Sequence, residues 1–178
     1  MKNKAILFAV LLTGLLLMPT LASAQTSSGT LAVTATVQSS ITLTFSTATS
    51  GVALTGSGTN VATLGFGNVS RYTSPPANVT ETIAATTFTV STPFYVSVVK
   101  SNLTSANYAL TAQVQTADAV NTWMIDTFPL AILPTAATSL TVTGVYATNV
   151  VHTLYLTIPF SAGATVISNV INFVATAN

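Results

Sequence analysis

Hydrophobic and polar residues alternate near the N-terminus of the chain. Within residues 31–45 every odd position except Ser39 is apolar, and the even positions are mostly Thr, Ser and Gln. A period of two is typical of a β-strand that buries one face. Since strands in compact domains usually run about 5 to 6 residues, the stretch predicts two strands, with a break at the polar residues 38–40.

Further short segments with this alternation follow, separated by Gly, Pro, Asn and Ser. Strands are predicted over residues 61–69, 86–99, 108–114, 140–146, 154–158 and 166–175. In the last of these, Ile171, Phe173 and Ala175 are predicted to face inward, and Pro93 marks a sheet edge or a bulge. With loops at 47–60 and 70–77, the spacing predicts an all-β, two-sheet antiparallel sandwich over residues 39–178.

The first 24 residues have the features of a secretory signal peptide. Lys2 and Lys4 precede an apolar stretch over residues 5–17, and small residues follow at 22–24. Signal peptides have this order, and the apolar run is shorter than the ~20 residues of a membrane-spanning helix. We therefore expect a secreted chain, extracellular or at the cell surface, with no transmembrane segment after cleavage.

The chain contains very little charge. Charged residues make up 4% of the sequence and hydrophobic residues 49%. In soluble domains about a quarter of the residues are usually charged. Beyond the predicted signal peptide only Arg71, Lys100, Glu81, Asp118 and Asp126 remain. Such a surface has no field to attract nucleic acid, and a net charge near zero favours self-association.

Few residues are available for catalysis. His152 is the single histidine, and the chain has no cysteine, so a thiol nucleophile and the usual zinc ligand sets are excluded. No G-x-S-x-G turn is present for a serine nucleophile. Because His152 shares its parity with Leu154 and Ile158, we expect it to pack or to form a hydrogen bond, and we expect no enzyme, no cofactor and no metal.

Three further groups of residues are candidates for a function. Asp118 and Asp126, with Asn121 between them, could offer oxygen ligands to calcium, but their spacing favours side chains that cap turns. Trp123 and the five Tyr residues could stack on sugars if they were exposed together, but we expect them to fill the sandwich. Possible glycosylation sites follow from three N-x-S/T triplets, at Asn68, Asn78 and Asn102.

Residues 25–38 have the properties of a strand that one molecule donates to another. A sandwich that lacks a strand leaves an apolar groove and an open edge, which a strand from a neighbour can fill. The segment is uncharged, and it is apolar at every second residue. We expect four of its side chains to occupy successive pockets of another copy: Leu31, Val33, Ala35 and Val37.

A family resemblance rests on a series of segments: SSITLTF, TLGFGNV, STPFYVSVV, YALTAQ, TVTGVY and LTIPFSAGATVISNVINFVATA. Their order over residues 29–178 resembles the spore coat protein U-like domain of archaic chaperone-usher pilins. The resemblance implies an incomplete immunoglobulin-like sandwich, held by a periplasmic chaperone, assembled at an outer-membrane usher, and polymerised when one subunit's N-terminal extension completes the next.

Two functions are therefore expected from the sequence. The first is a secreted structural, pilin-like subunit that forms a homopolymer, as a filament or a surface coat, by donor-strand exchange. The second is a monomeric cell-surface adhesin or glycan-binding module that acts through its loops. They differ in what happens to residues 25–38.

Overall fold

The computed structural model describes residues 28–132 and 135–178, so the predicted signal peptide lies outside the described residues. The chain divides into two units, and the described residues of the first, 28–36, form no strand. The described residues of the second unit, Val37–Asn178, form ten strands. Their bounds are β1 Ser40–Thr47, β2 Thr80–Ile83, β3 Thr87–Ser101, β4 Tyr108–Val114, β5 Thr122–Ile125, β6 Phe128–Pro129, β7 Ala131–Ile132, β8 Thr138–Gly144, β9 Asn149–Pro159 and β10 Ile171–Ala177.

The described residues contain no helix, as the composition predicts. Thr, Val and other residues that favour pleated strands dominate, while residues that favour helices are scarce. Within this part of the chain, no helix reaches the length and apolarity needed to cross a membrane. The prediction of an all-β chain is confirmed.

The first sheet is built on the long strand β3. Its order is β1-β3-β9-β5-β6, and β2 also pairs with β3, on the same edge as β1. All of these pairs are antiparallel, and β3 matches β9 over residues 87–97 without a shift in register. The predicted strand over 86–99 is thus confirmed and extends further on its C-terminal side.

Pro93 lies at a gap in this sheet and not at a bulge. The ladder with β2 ends at Ser91, and the ladder with β1 begins at Phe94. The Pro93 carbonyl points into the gap, where a Cβ on Gly51 would be 2.0 Å from its oxygen. Since proline has no N–H to donate, a place between two partner strands accommodates it at no loss of a ladder hydrogen bond.

The second sheet is smaller and is not wholly antiparallel. Strand β4 pairs antiparallel with β10 on one side and with β8 on the other. The two residues of β7 pair with the end of β4 in parallel. The predicted antiparallel arrangement is therefore wrong at β7, where the chain returns from the first sheet and meets β4 running in the same direction.

A buried hydrophobic cluster joins the two sheets in a sandwich-like arrangement. Alternate residues of β3, β4 and β9 are buried, as expected for strands with one inward face. Val96 and Val98 of β3 and Leu110 and Ala112 of β4 belong to the same buried cluster. A second cluster around Phe88 lies toward the other end of β3.

The predicted strand over residues 61–69 is wrong. Leu64 and Phe66 do pack against the core, which accounts for the alternation. The backbone, however, finds only one ladder contact, between Thr63 and Thr55, and Gly67 adopts a left-handed φ of 73°. Periodicity reports which side chains are buried, and it does not report whether a neighbouring strand is present.

Candidate functional site

The outer edge of β10 has no partner strand among the described residues. Val170 accepts a hydrogen bond from the N–H of Gln115, and Asn178 donates its N–H to Asn107, so even-numbered backbone groups point toward β4. By the alternation of antiparallel ladders, the odd-numbered groups at 171, 173, 175 and 177 point to the free edge. These N–H and C=O groups are available to another strand.

The inward side chains beside this edge are incompletely covered. Ile171, Phe173 and Ala175 pack against the core, as predicted, but each remains half-buried. On the facing edge, the side chains of Ile41 and Leu43 in β1 are half-buried in the same way. The two edges belong to different sheets and are not hydrogen-bonded to each other.

A cavity of about 1190 Å³ lies beside the start of β10. Its floor is the inner face of the first sheet, at Phe88, Leu156 and Ile158, where the shorter second sheet does not reach. Residues 61–72 and 160–170 form its walls. Its lining is mainly apolar but includes the side chains of Arg71, Asn68 and Asn169, so apolar side chains would find their contacts chiefly on its floor.

Three phenylalanines close the end of the cavity that faces the main core. Phe45 of β1 and Phe173 of β10 meet edge to face, with ring centroids 5.0 Å apart. Phe94 of β3 lies 6.0 Å from Phe173 in a similar arrangement. Contact between β1 and β10 at this level is therefore made by side chains and not by backbone.

Arg71 joins the two walls of the cavity. Its guanidinium carbon lies 4.1 Å from the ring centroid of Phe160 and 4.3 Å from that of Tyr72. The guanidinium also donates a hydrogen bond to the Tyr72 hydroxyl. A cation over two aromatic faces is attracted to both, so this contact ties the loop of residues 61–72 to the chain that follows β9. No pattern in the local sequence predicts this pairing.

The predicted donor side chains are exposed. Leu31, Val33 and Val37 are 88%, 81% and 73% accessible, and Ala35 is exposed as well. None of the four lies in a strand. The residues before 28 lie outside the described residues, and the donor role stays a prediction.

His152 is buried and forms a pair with Asp126, in agreement with a packing and hydrogen-bonding role. Its Nδ1 lies 2.7 Å from Asp126 Oδ2, and its ring packs against Phe94. Burial acts to raise the pKa of Asp126, but the hydrogen bonds from His152 and from the Thr153 N–H, with the electrostatic effect of His152, outweigh it and leave the pKa lowered. The pair is 26 residues apart in sequence and serves to fix the β5–β6 turn to β9.

Asp118 caps a turn, as its spacing favoured. Its Oδ1 accepts the N–H groups of Val120 and Asn121, and its Oδ2 accepts the Trp123 indole N–H at 2.9 Å. Burial works to raise its pKa, but these hydrogen bonds prevail and lower it. Within residues 28–132 and 135–178, no group of three or more acidic, His or Cys side chains is placed to hold a metal ion.

The aromatic residues divide between core and surface. Tyr108 is fully buried, and burial together with neighbouring Tyr146 raises the pKa of its hydroxyl. Trp123 packs against the core, whereas Tyr72 is exposed. The expectation that all these rings fill the sandwich is therefore wrong for Tyr72, which lies on a loop, and for Tyr95 and Tyr155, which alternate with the buried residues of β3 and β9 and so lie on the outer face of the first sheet.

The three N-x-S/T asparagines are all exposed but differ in setting. Asn68 lies on the wall of the cavity. Asn78 and Asn102 adopt left-handed φ values of 63° and 55°. The Asn102 side-chain amide donates a hydrogen bond to the Gln38 carbonyl at 3.0 Å, so a sugar on that nitrogen would have to displace this contact.

Comparison with known proteins gives no relative: no family model, no curated protein and no solved structure matches the chain. Function has therefore to be argued from the geometry of the open edge of β10 and the cavity beside it.

Proposed function

We propose that this protein is a secreted structural subunit that polymerises by strand exchange. In this proposal, residues 25–38 of one copy add to the free edge of β10 in another. The observation that carries the proposal is the edge of β10, which no described residue pairs with and which lies directly beside a mainly apolar cavity of about 1190 Å³. An edge alone would invite pairing, and the cavity adds a place for the side chains of the pairing strand.

The strand order supports an immunoglobulin-like reading of the sandwich. Such folds carry strands A, B, E and D in one sheet and C, F and G in the other, with G beside F. The neighbours β1-β3-β9-β5 correspond to A-B-E-D, and β4 and β10 correspond to C and F. In this correspondence the position of strand G is the free edge of β10, where the donated strand would lie.

The chemistry of the tail matches that position. Leu31, Val33, Ala35 and Val37 lie on one side of an extended chain, and the residues between them are Ala and Thr. Apolar burial contributes roughly 1.5 to 3 kcal/mol for each large aliphatic side chain. Because the chain has so little charge, no electrostatic repulsion opposes contact between copies.

A polymer follows from the direction of exchange. Each copy gives its tail to one neighbour and receives a tail from another, so the contact is head to tail and does not close on itself unless the rotation forms a ring. By resemblance to chaperone-usher pilins, a periplasmic chaperone would hold the open edge before assembly and an outer-membrane usher would deliver the subunits. Both partners belong to the proposal.

Two point variants of the tail test the proposal against a matched control. Val33→Asp places a charge on the side that would enter the cavity, and Thr34→Asp places the same charge on the opposite side, because successive residues of a strand alternate. Electron microscopy of the full chain should show filaments for Thr34→Asp and none for Val33→Asp. Filaments from Val33→Asp, or equal loss in both, would refute strand exchange.

Deletion of residues 25–38 separates this proposal from an adhesin. Loss of filaments with an unchanged thermal unfolding curve supports donation of the tail. A full-length protein that stays monomeric and binds sugars supports the adhesin.

A further inference from the structure

A loop at the edge of β1 limits where a strand can be added, an inference that rests on the proposed function. Strand addition between two open edges could in principle use the backbone of both β1 and β10. The two edges are unequal, because a loop already occupies part of the β1 edge.

The loop in question is the hairpin of residues 55–63, called here the edge cap. Thr55 and Thr63 exchange both backbone hydrogen bonds, at 3.1 and 2.8 Å. Its tip turns through Gly56 and Gly58, with left-handed φ values of 79° and 87°. The Thr59 hydroxyl lies within hydrogen-bonding distance of the carbonyls of Gly56 and Val61, which holds the tip together.

This tip binds the outer backbone groups of β1. The Phe45 N–H donates to the Thr59 carbonyl at 2.8 Å, and the Phe45 carbonyl accepts the Gly58 N–H at 2.6 Å. The next outward N–H, that of Thr47, donates to Ser57 Oγ at 3.2 Å. These are the groups that an added strand would need from this half of β1.

The other half of β1 is open. By alternation, the backbone groups of Ile41 and Leu43 point to the same side as those of Phe45, and no described loop residue bonds to them. On β10, no residue in the described part of the chain bonds to the outward groups at residues 171, 173, 175 and 177. The available hydrogen bonds are therefore unevenly divided between the edges.

We propose that the edge cap closes β1 from Phe45 onward, so that an added strand pairs with β10 along its whole length and with β1 only at Ile41 and Leu43. The cap thereby selects one register of contact and removes part of a sheet edge that would otherwise pair with other chains. A glycine is required at Gly58 by its φ alone, since a Cβ there would meet nothing within 4 Å.

Hydrogen exchange at single-residue resolution tests the pairing. The sample is the full chain carrying Val33→Asp, whose own tail then does not compete, with and without a synthetic peptide of residues 28–38. The peptide should slow exchange of the amides of residues 171, 173, 175 and 177, and leave those of Phe45 and Gly58 unchanged. Faster exchange at Gly58 on binding would show that the cap is displaced, and would overturn the proposal.

A variant without peptide tests the cap by itself. Gly58→Val puts a β-branched residue at a left-handed φ, and the Phe45 amide should then exchange about tenfold faster. Ala117→Val, at an exposed loop residue that does not line the cavity and has no left-handed φ, should leave it unchanged. An unchanged Phe45 amide in Gly58→Val would overturn the cap. If the peptide protects no residue of β10, strand exchange itself is refuted. The Gly58→Val measurement uses no peptide, so it still tests the edge cap independently of strand exchange.

Discussion

The carboxylate of Asp126 lies 2.7 Å from Nδ1 of His152, although the two residues are 26 positions apart in sequence. Asp126 lies in the turn between β5 and β6, and His152 lies in β9. Asp126 also accepts the Thr153 N–H at 2.8 Å and has a left-handed φ of 55°. This position therefore needs a residue that tolerates that backbone and also accepts two hydrogen bonds.

Acid should remove the contribution of Asp126 to stability. Its pKa is lowered in the folded state, so its ionised form stabilises the fold above the unfolded pKa of ~3.9, and this contribution is lost as pH falls through the folded value. Asp126→Asn tolerates the backbone but has no charge to lose. Urea unfolding between pH 7 and pH 2.5 should show a shallower fall in the variant, and stability about 1 kcal/mol lower than wild type near pH 7. Identical slopes would contradict this role.

Gly144 is predicted to be irreplaceable for reasons of space. A Cβ at this position would lie 2.3 Å from Cζ of Tyr108, whose ring is fully buried and packs on Tyr146. Overpacking of this kind costs roughly 1 to 3 kcal/mol, so Gly144→Ala should lower the unfolding free energy by that amount in urea titration. The control is Gly163→Ala, where a methyl group meets open space; an equal loss in both would contradict the steric argument.

The hydroxyl of Thr92 is predicted to stabilise the loop that fills the gap beside Pro93. It accepts the Val52 N–H and donates to the Asn78 carbonyl, both at 2.9 Å, and the residue is 1% exposed. Thr92→Val keeps the shape and leaves two backbone groups without a partner, at a cost of roughly 1 to 3 kcal/mol.

A matched substitution lies three residues earlier in the same strand. Thr89 is on the outer face, where its hydroxyl meets that of Thr157 at 2.8 Å. Thr89→Val should lower the unfolding free energy by less than Thr92→Val, because it removes one pair of hydroxyls and leaves no backbone group without a partner. Chemical denaturation of both variants provides the measurement, and a larger effect at Thr89 would show that the Thr92 hydroxyl has no special part.

Arg71 is predicted to control the mobility of the cavity wall more than global stability. Removing its contacts with Phe160 and Tyr72 should lower stability by only about 0.5 to 1 kcal/mol, while hydrogen exchange in residues 61–72 becomes faster. Arg71→Lys retains the charge without the flat guanidinium, and should fall between wild type and Arg71→Ala. If Arg71→Ala leaves exchange in the loop unchanged, the wall is held by other contacts.

Some elements of the fold were predictable and others were not. The strand over 108–114 was predicted with its observed bounds, because Tyr108 and its alternate neighbours are all buried. The short strands β2, β5, β6 and β7 were missed, since segments of two to four residues carry no measurable period. The edge cap, residues 55–63, begins inside the predicted loop over 47–60 and ends three residues after it. No pattern in the local sequence predicts its contact with Phe45.

By itself the sequence determined the class of fold, the inward face of β10 and the alternating tail. These follow from the spacing of apolar residues, and that spacing is a local property of the chain. Only the tertiary structure decided that β10 has a free edge, that the cavity lies beside it, and that Asp126 meets His152. Each of these depends on which distant segments become neighbours. The strands of the second sheet are shorter than β3 and β9 of the first, so one end of the inner face of the first sheet is left without a covering strand.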